Sequence, residues 1–148
     1  MGYFLEELFS SVSLFANLSK KNKKYLYNLT GYDLPWFEMD QLIIEEGTDS
    51  TSFFILIKGS AKVVRKSLPN QIIAILQPGD IFGEMSYLTG NKRSANVVAS
   101  EQQVLVMCIN NKLMQNMPSQ IRDVINEKLI SLMTQRVEMV KDDNLIIT

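Results

Sequence analysis

The sequence predicts an α+β domain that is mainly β, with its elements in the order helix, sheet, helix. Apolar residues recur at helical spacing before residue 34 and again after residue 110. Between them, short β-branched and aromatic runs alternate with turn residues. At 148 residues the chain suits one domain with a substantial core.

In the first part, Leu8, Phe9, Val12, Phe15 and Leu18 follow helical spacing. Ser19 then caps a second helix, expected over Lys20 to Thr30, with Tyr25, Leu26 and Leu29 as its apolar stripe. The run Lys20-Lys21-Asn22-Lys23-Lys24 reads as a solvated helix face or as a patch for a docking partner. Strands are expected at Trp36 to Met39, Gln41 to Glu45, Ser52 to Ile57, Ala61 to Arg65, Gln71 to Leu76, Ala95 to Ala99 and Val104 to Ile109. Turn chemistry separates them at Gly47-Thr48-Asp49, Lys58-Gly59-Ser60, Leu68-Pro69-Asn70 and Gln77-Pro78-Gly79-Asp80. Short strands at this spacing suit a sandwich, a jelly roll or a barrel. Asn110 and Asn111 can cap a short helix ending near Met117. Pro118 opens a long one, striped by Ile121, Ile125, Leu129, Leu132, Met133, Val137 and Val140. That stripe either packs wholly on the sheet or leaves part of itself for a partner helix. The boundaries are 1–33 for the first helices, 34–110 for the sheet, 111–141 for the last helices and 142–148 for an apolar tail.

Composition excludes several classes of function. The net charge of −1 favours neither nucleic acid nor anionic membrane, so any phosphate recognition must be local. Without histidine, and with Cys108 as the one cysteine, the chain lacks the usual ligands for zinc, iron or copper, and no metal site is expected. The commonest general base is missing too, and no enzyme is expected. Cys108 has no internal disulfide partner, which fits a reducing, cytoplasmic setting, and its apolar neighbours make it a small core residue. No apolar run reaches the ~20 residues of a membrane span. The start of the chain has neither signal-peptide nor myristoylation character.

Ligand chemistry concentrates between Ile81 and Ala95. Gly83 permits positive φ or a close backbone approach. Glu84 to Leu88 can form a short helix whose first amides face an anion. Arg93 offers a planar fork for two phosphate oxygens, and Ser94 an amide and a hydroxyl. Glu84 can accept from sugar hydroxyls. A plain Glu84–Arg93 ion pair closing the loop is the equally good alternative.

The segment Phe82-Gly83-Glu84-Met85-Ser86-Tyr87-Leu88, followed by Lys92-Arg93-Ser94-Ala95-Asn96-Val97, resembles the phosphate-binding cassette of the cyclic nucleotide-binding domain family. That family includes catabolite activator-type regulators, protein kinase A regulatory subunits and cyclic nucleotide-gated channels. Leu14 to Ser19 is similar to the family's entry helix, Phe54 to Val63 to its central hairpin, and Leu76 to Glu84 to its approach to the cassette. The resemblance spans roughly residues 10 to 141.

It implies an eight-stranded β-roll (a double-stranded β-helix, jelly-roll-like), flanked by N-terminal helices, a short cassette helix within 82–95 and two C-terminal helices. It also implies a regulatory sensor for a cyclic nucleotide, cAMP ahead of cGMP, whose C-terminal helix moves on binding. By position, Arg93, Ser94 and Ser86 would hold the phosphate, and Glu84 with the Gly83 backbone the ribose. Met85, Val63, Ile73 and Ala74 would line the pocket, and Arg136 and Val140 would meet the base. No cofactor is implied beyond the ligand itself.

The chain departs from the family pattern at Asp40, where a turn glycine is common, at Lys92 for a proline, and at Asn96 for a threonine. Val140 and Lys141 lack the hydroxyls that read adenine in some members. The alternative is an interaction module that keeps the fold without a nucleotide. A cupin-like enzyme would need histidines inside the barrel, which this chain lacks. No DNA binding is expected of a chain that stops soon after the long helix, and the start at Met1 fits a stand-alone domain. Partners would be a homodimer through the C-terminal helix or an effector protein.

Overall fold

A computed structural model describes residues 2–139, with side chains from 5 to 135. It contains eight strands and five α-helices among those residues. The helices are α1 (Gly2–Ser10), α2 (Lys20–Tyr27), α3 (Glu84–Thr89), α4 (Asn111–Asn116) and α5 (Ser119–Met139), with a 3-10 turn at Ser13–Phe15. The strands are β1 (Trp36–Glu38), β2 (Leu42–Ile44), β3 (Phe53–Lys58), β4 (Ala61–Val64), β5 (Ala74–Leu76), β6 (Ile81–Phe82), β7 (Asn96–Ala99) and β8 (Gln103–Ile109).

Two antiparallel four-stranded sheets face each other, in the orders β1-β8-β3-β6 and β2-β7-β4-β5. This is the expected β-roll. The central strands β3 and β8 are buried on both sides. From β3, Phe53, Ile55 and Ile57 join the helices in one cluster, while Phe54 and Leu56 point into the roll. From β8, Leu105, Met107 and Ile109 face the helices, and Val104 and Val106 face inward. Burial on both faces explains why these strands read as continuous apolar runs rather than alternating ones.

The helix caps form as the sequence predicts. Ser19 Oγ accepts the Asn22 amide at 3.2 Å, and Asn110 Oδ1 accepts the Leu113 amide at 2.8 Å. The Ser19 amide in turn donates to Gln120 Oε1, which also accepts from Asn22 Nδ2, so the starts of α2 and α5 are tied together. Ser19→Ala is expected to cost about 1 kcal/mol, seen as a melting temperature lower by roughly 2–4 °C. An unchanged melt would remove the cap from the account. Asp40, at the position where a turn glycine is common, takes the left-handed conformation with φ 71, which aspartate tolerates at modest cost.

Most strand ends lie within one residue of expectation, and four features differ by more. The Ile81–Phe82 strand was not expected, because a two-residue ladder is too short to show periodicity. β5 covers only the last three residues of the run Gln71 to Leu76, since the irregular stretch after Leu68-Pro69-Asn70 delays pairing until Ala74. α2 ends at Tyr27 rather than Thr30, where the Asn28 amide closes the last turn onto preceding carbonyls. The first apolar stripe spans α1 and the 3-10 turn, not one helix.

On α5, Ile121, Ile125 and Leu129 are buried, and Leu132 packs partly on the same cluster. Ile130 and Met133 lie exposed, so the helix is not wholly packed on the sheet. Val137 keeps its place in α5, but its side chain lies outside the described residues, as do Val140 and the 142–148 tail.

Candidate functional site

The 82–95 segment is built around a single glycine. Phe82 is fixed by stacking on Phe54, centroid to centroid 5.3 Å. Gly83 follows with φ +75 as the N-cap of α3. A Cβ there would stand 2.9 Å from both Arg93 Nη1 and Ile44 Cδ1. Positive φ and close approach, the two expected reasons for glycine, therefore hold together. α3 is six residues long, and its Tyr87 packs edge-on to Phe53 at 4.6 Å. Gly90 ends the helix, returning its amide to the Ser86 carbonyl at 2.9 Å.

Arg93 is 5 % exposed. Its Nη1 donates to the Gly83 carbonyl at 2.7 Å and its Nη2 to the Ser52 carbonyl at 2.6 Å. The guanidinium also lies 5.8 Å from the Phe54 ring centroid. Its own main chain is clasped: the Gly47 amide donates to the Arg93 carbonyl at 2.8 Å, and the Arg93 amide to the Thr48 carbonyl at 3.0 Å. A guanidinium has five N–H donors, more than these two bonds use. Burial draws the Arg93 pKa below its ordinary value, while Cys108 and Glu84 push it back up. Glu84 is fully buried, and its carboxylate thus acts on Arg93 within a low-dielectric setting.

Around this pair, Ser86 is buried and Met85 half-buried, whereas Lys92 and Ser94 are exposed. Lys92 Nζ sits 3.2 Å from Asp49 Oδ2 in an exposed pair worth little stability. Val63 pairs with both Ala74 and Val97, so all three share the inner face of the second sheet. Val63 and Val97 are buried, yet Ala74 on the same face is exposed, and Ile73 is half-buried. The roll interior is therefore open to solvent beside β5. Arg136 lies on α5 with its side chain outside the described residues, as is the whole of Val140.

Sequence reasoning missed the loop 45–52. It clasps Arg93 through Gly47, Thr48 and Ser52, and the Asn96 side chain accepts the Glu46 amide at 2.7 Å. On the loop's side these contacts use main-chain groups, which any residue supplies, and only the Gly47-Thr48-Asp49 turn hinted at them. Cys108 was read as a core residue, yet it is half-buried and borders the site. Its thiol pKa is raised by burial; a hydrogen bond with Ser52 and the nearby Arg93 pull it the other way, and Asp33 adds to the rise.

The family model of the cyclic nucleotide-binding domain matches residues 35–120, more than half of the chain. The chain belongs to this family. Human cGMP-dependent protein kinase 2 is 33% identical over 103 residues, 68% of this chain and 13% of the kinase. Isozyme 1 of the Drosophila melanogaster cGMP-dependent protein kinase is 31% identical over 93 residues, 60% of this chain and 12% of that protein. The matched part of this chain thus spans about an eighth of these relatives' length.

Among solved structures, a cyclic nucleotide-binding domain from Methylobacillus flagellatus KT superposes with a TM-score of 0.65 at 26% identity, covering 96% of this chain and 82% of that one. The catabolite activator protein of Thermus thermophilus gives a TM-score of 0.69 at 20% identity over 88% of this chain and 60% of its own, a likeness of fold. Among the described residues, no helix is long and apolar enough to cross a membrane.

Proposed function

We propose that this domain is a regulatory sensor, not an enzyme, that binds a 3′,5′-cyclic purine nucleotide at the 82–95 segment, cAMP ahead of cGMP, in the cytoplasm. The observation that carries the reading is the Arg93 guanidinium, buried, aimed by two carbonyls and set beside the buried Glu84. Its remaining N–H donors would take the phosphate, joined by the amides of Ser86 and Ser94 and the Ser94 hydroxyl. Glu84 and the Gly83 backbone take the ribose. Met85, Val63, Ile73 and Ala74 line the sugar and base, which enter where Ala74 opens the inner face. Arg136 and Val140 close over the base as α5 moves.

Both charged groups are buried here, so the phosphate first meets Ser94 at the surface and the segment must yield to admit it. A ligand shifts such an equilibrium only by its preference for the closed state, and an almost complete shift takes roughly 5 kcal/mol. The exposed Ile130 and Met133 support α5 as the face that a second copy or an effector covers.

One observation favours a second base. The relatives at 31–33% identity are named cGMP-dependent kinases, and the exposed Ser94 hydroxyl stands next to Arg93, where it can bond guanine.

The test is thermal melting with each nucleotide and with Ser94→Ala. Saturating ligand at about 100 times Kd should raise the melting temperature by roughly 5–10 °C. Under the cGMP reading, Ser94→Ala weakens cGMP about tenfold more than cAMP; under the cAMP reading the ratio holds. No shift with either nucleotide would leave an interaction module without a ligand.

A further inference from the structure

The lysine run of α2 takes no part in the nucleotide site. Lys20, Lys21 and Lys23 stand in the first turn of the helix, the end where its dipole disfavours cations, and Lys24 stands in its last turn. Among the described residues no carboxylate forms an ion pair with any of them. The chain as a whole carries only −1, so this is a local concentration of charge. Lys21 and Lys24 share one helix face with Tyr25 and Asn28, at spacings of three, four and seven. That face lines a hollow of about 540 Å³ whose far wall is Pro118. Tyr25 and Asn28 also line a second hollow of about 430 Å³ along α4, with Leu29 and Leu113 as apolar surface and Lys112 at its edge. The shared residues join the two into one groove. Asp33 is the carboxylate among the lining residues, at the end away from Lys21 and Lys24. Gln120 fixes the start of α5 to the start of α2 by accepting from the Ser19 amide and Asn22 Nδ2.

We propose that the groove between α2 and the α4–α5 junction docks an acidic amphipathic peptide segment of a partner protein. Carboxylates on the segment would meet Lys21, Lys24 and Lys112, and its apolar face would cover Tyr25, Leu29 and Leu113. A concave groove selects a peptide over a bilayer. Membrane docking needs apolar side chains that protrude beside the lysines, and here Leu26 is buried while Tyr25, Tyr27 and Leu29 are half-buried.

The test is a fluorescence-anisotropy titration of the whole chain. The probe is a fluorescein-labelled helical peptide with glutamates on one face and leucines on the other. Two double variants remove the same charge from α2. Lys21→Glu/Lys24→Glu alters the groove; Lys20→Glu/Lys23→Glu alters the helix beside it. The expected result is saturable binding that weakens about tenfold or more in the first variant and less than about threefold in the second. No binding, equal losses in the two variants, or tighter binding to phosphatidylserine vesicles than to the peptide would overturn the proposal. Both variants should keep the wild-type melting shift with cyclic nucleotide, which tests the nucleotide site separately.

Discussion

Arg93→Leu is expected to weaken cAMP and cGMP binding by at least about 100-fold. Two charge-assisted hydrogen bonds to phosphate, each worth roughly 1.5–3 kcal/mol, account for that loss. Stability should fall as well. Arg93 satisfies the Gly83 and Ser52 carbonyls and lies beside the fully buried Glu84, and leucine does neither. Removing one member of a buried charged pair costs roughly 3–5 kcal/mol, because the other charge stays behind. Arg93→Lys separates the two effects. It keeps a cation beside Glu84 but loses the planar fork, so the fold should survive while binding drops about tenfold or more. Titration calorimetry on both variants, with a thermal melt of each, reads the result. Wild-type affinity in Arg93→Leu would remove the phosphate role from this residue.

Gly83→Ala is the second large effect. Any residue with a Cβ pays roughly 1–2 kcal/mol in the left-handed conformation. Here the Cβ also meets Arg93 Nη1 and Ile44 Cδ1 at 2.9 Å. Both are ends of side chains, which commonly swing away, but Arg93 is pinned by its two carbonyls and Ile44 is buried. A loss of roughly 2–3 kcal/mol is expected, as a lower urea midpoint at unchanged slope. Nucleotide affinity should fall as well, since relief of the clash displaces the guanidinium. Gly90→Ala is the matched control. It has φ +76 and nothing within 4 Å of a Cβ, so it carries the backbone cost alone and should bind normally. If the two variants bound nucleotide equally well, Gly83 would matter only for its backbone angle.

Much of this domain was legible in the chain because side chains carried the information. Ser19 and Asn110 announced their helices through hydroxyl and amide caps, and Asp40 its turn through its tolerance of positive φ. The apolar runs of β3 and β8 gave their strands, although only the two core clusters show that each is buried on both faces. Gly83 was legible because positive φ and close approach both call for glycine, whereas Glu84 and Arg93 read equally well as ligand groups or as a plain ion pair.

What stayed hidden was carried by the main chain or by distant packing. The clasp of loop 45–52 on Arg93 uses carbonyls and amides. The choice between an ion pair and an aimed fork could not be made from residue types, and the structure shows the fork's ends on two main-chain carbonyls. The α5 stripe reads as uniform in the sequence, yet among the described residues burial fades after Leu129, with Leu132 only partly packed and Ile130 and Met133 exposed. On the proposed reading the base would meet Arg136 of that same helix and Val140, which offer no hydroxyl.

Titration calorimetry of the unmodified chain with cAMP and with cGMP tests the central claim most directly. The account predicts saturable heat at one site per chain, with a Kd in the micromolar range or tighter for at least one nucleotide. No heat from either nucleotide at millimolar concentration, from protein that melts cooperatively, would contradict it.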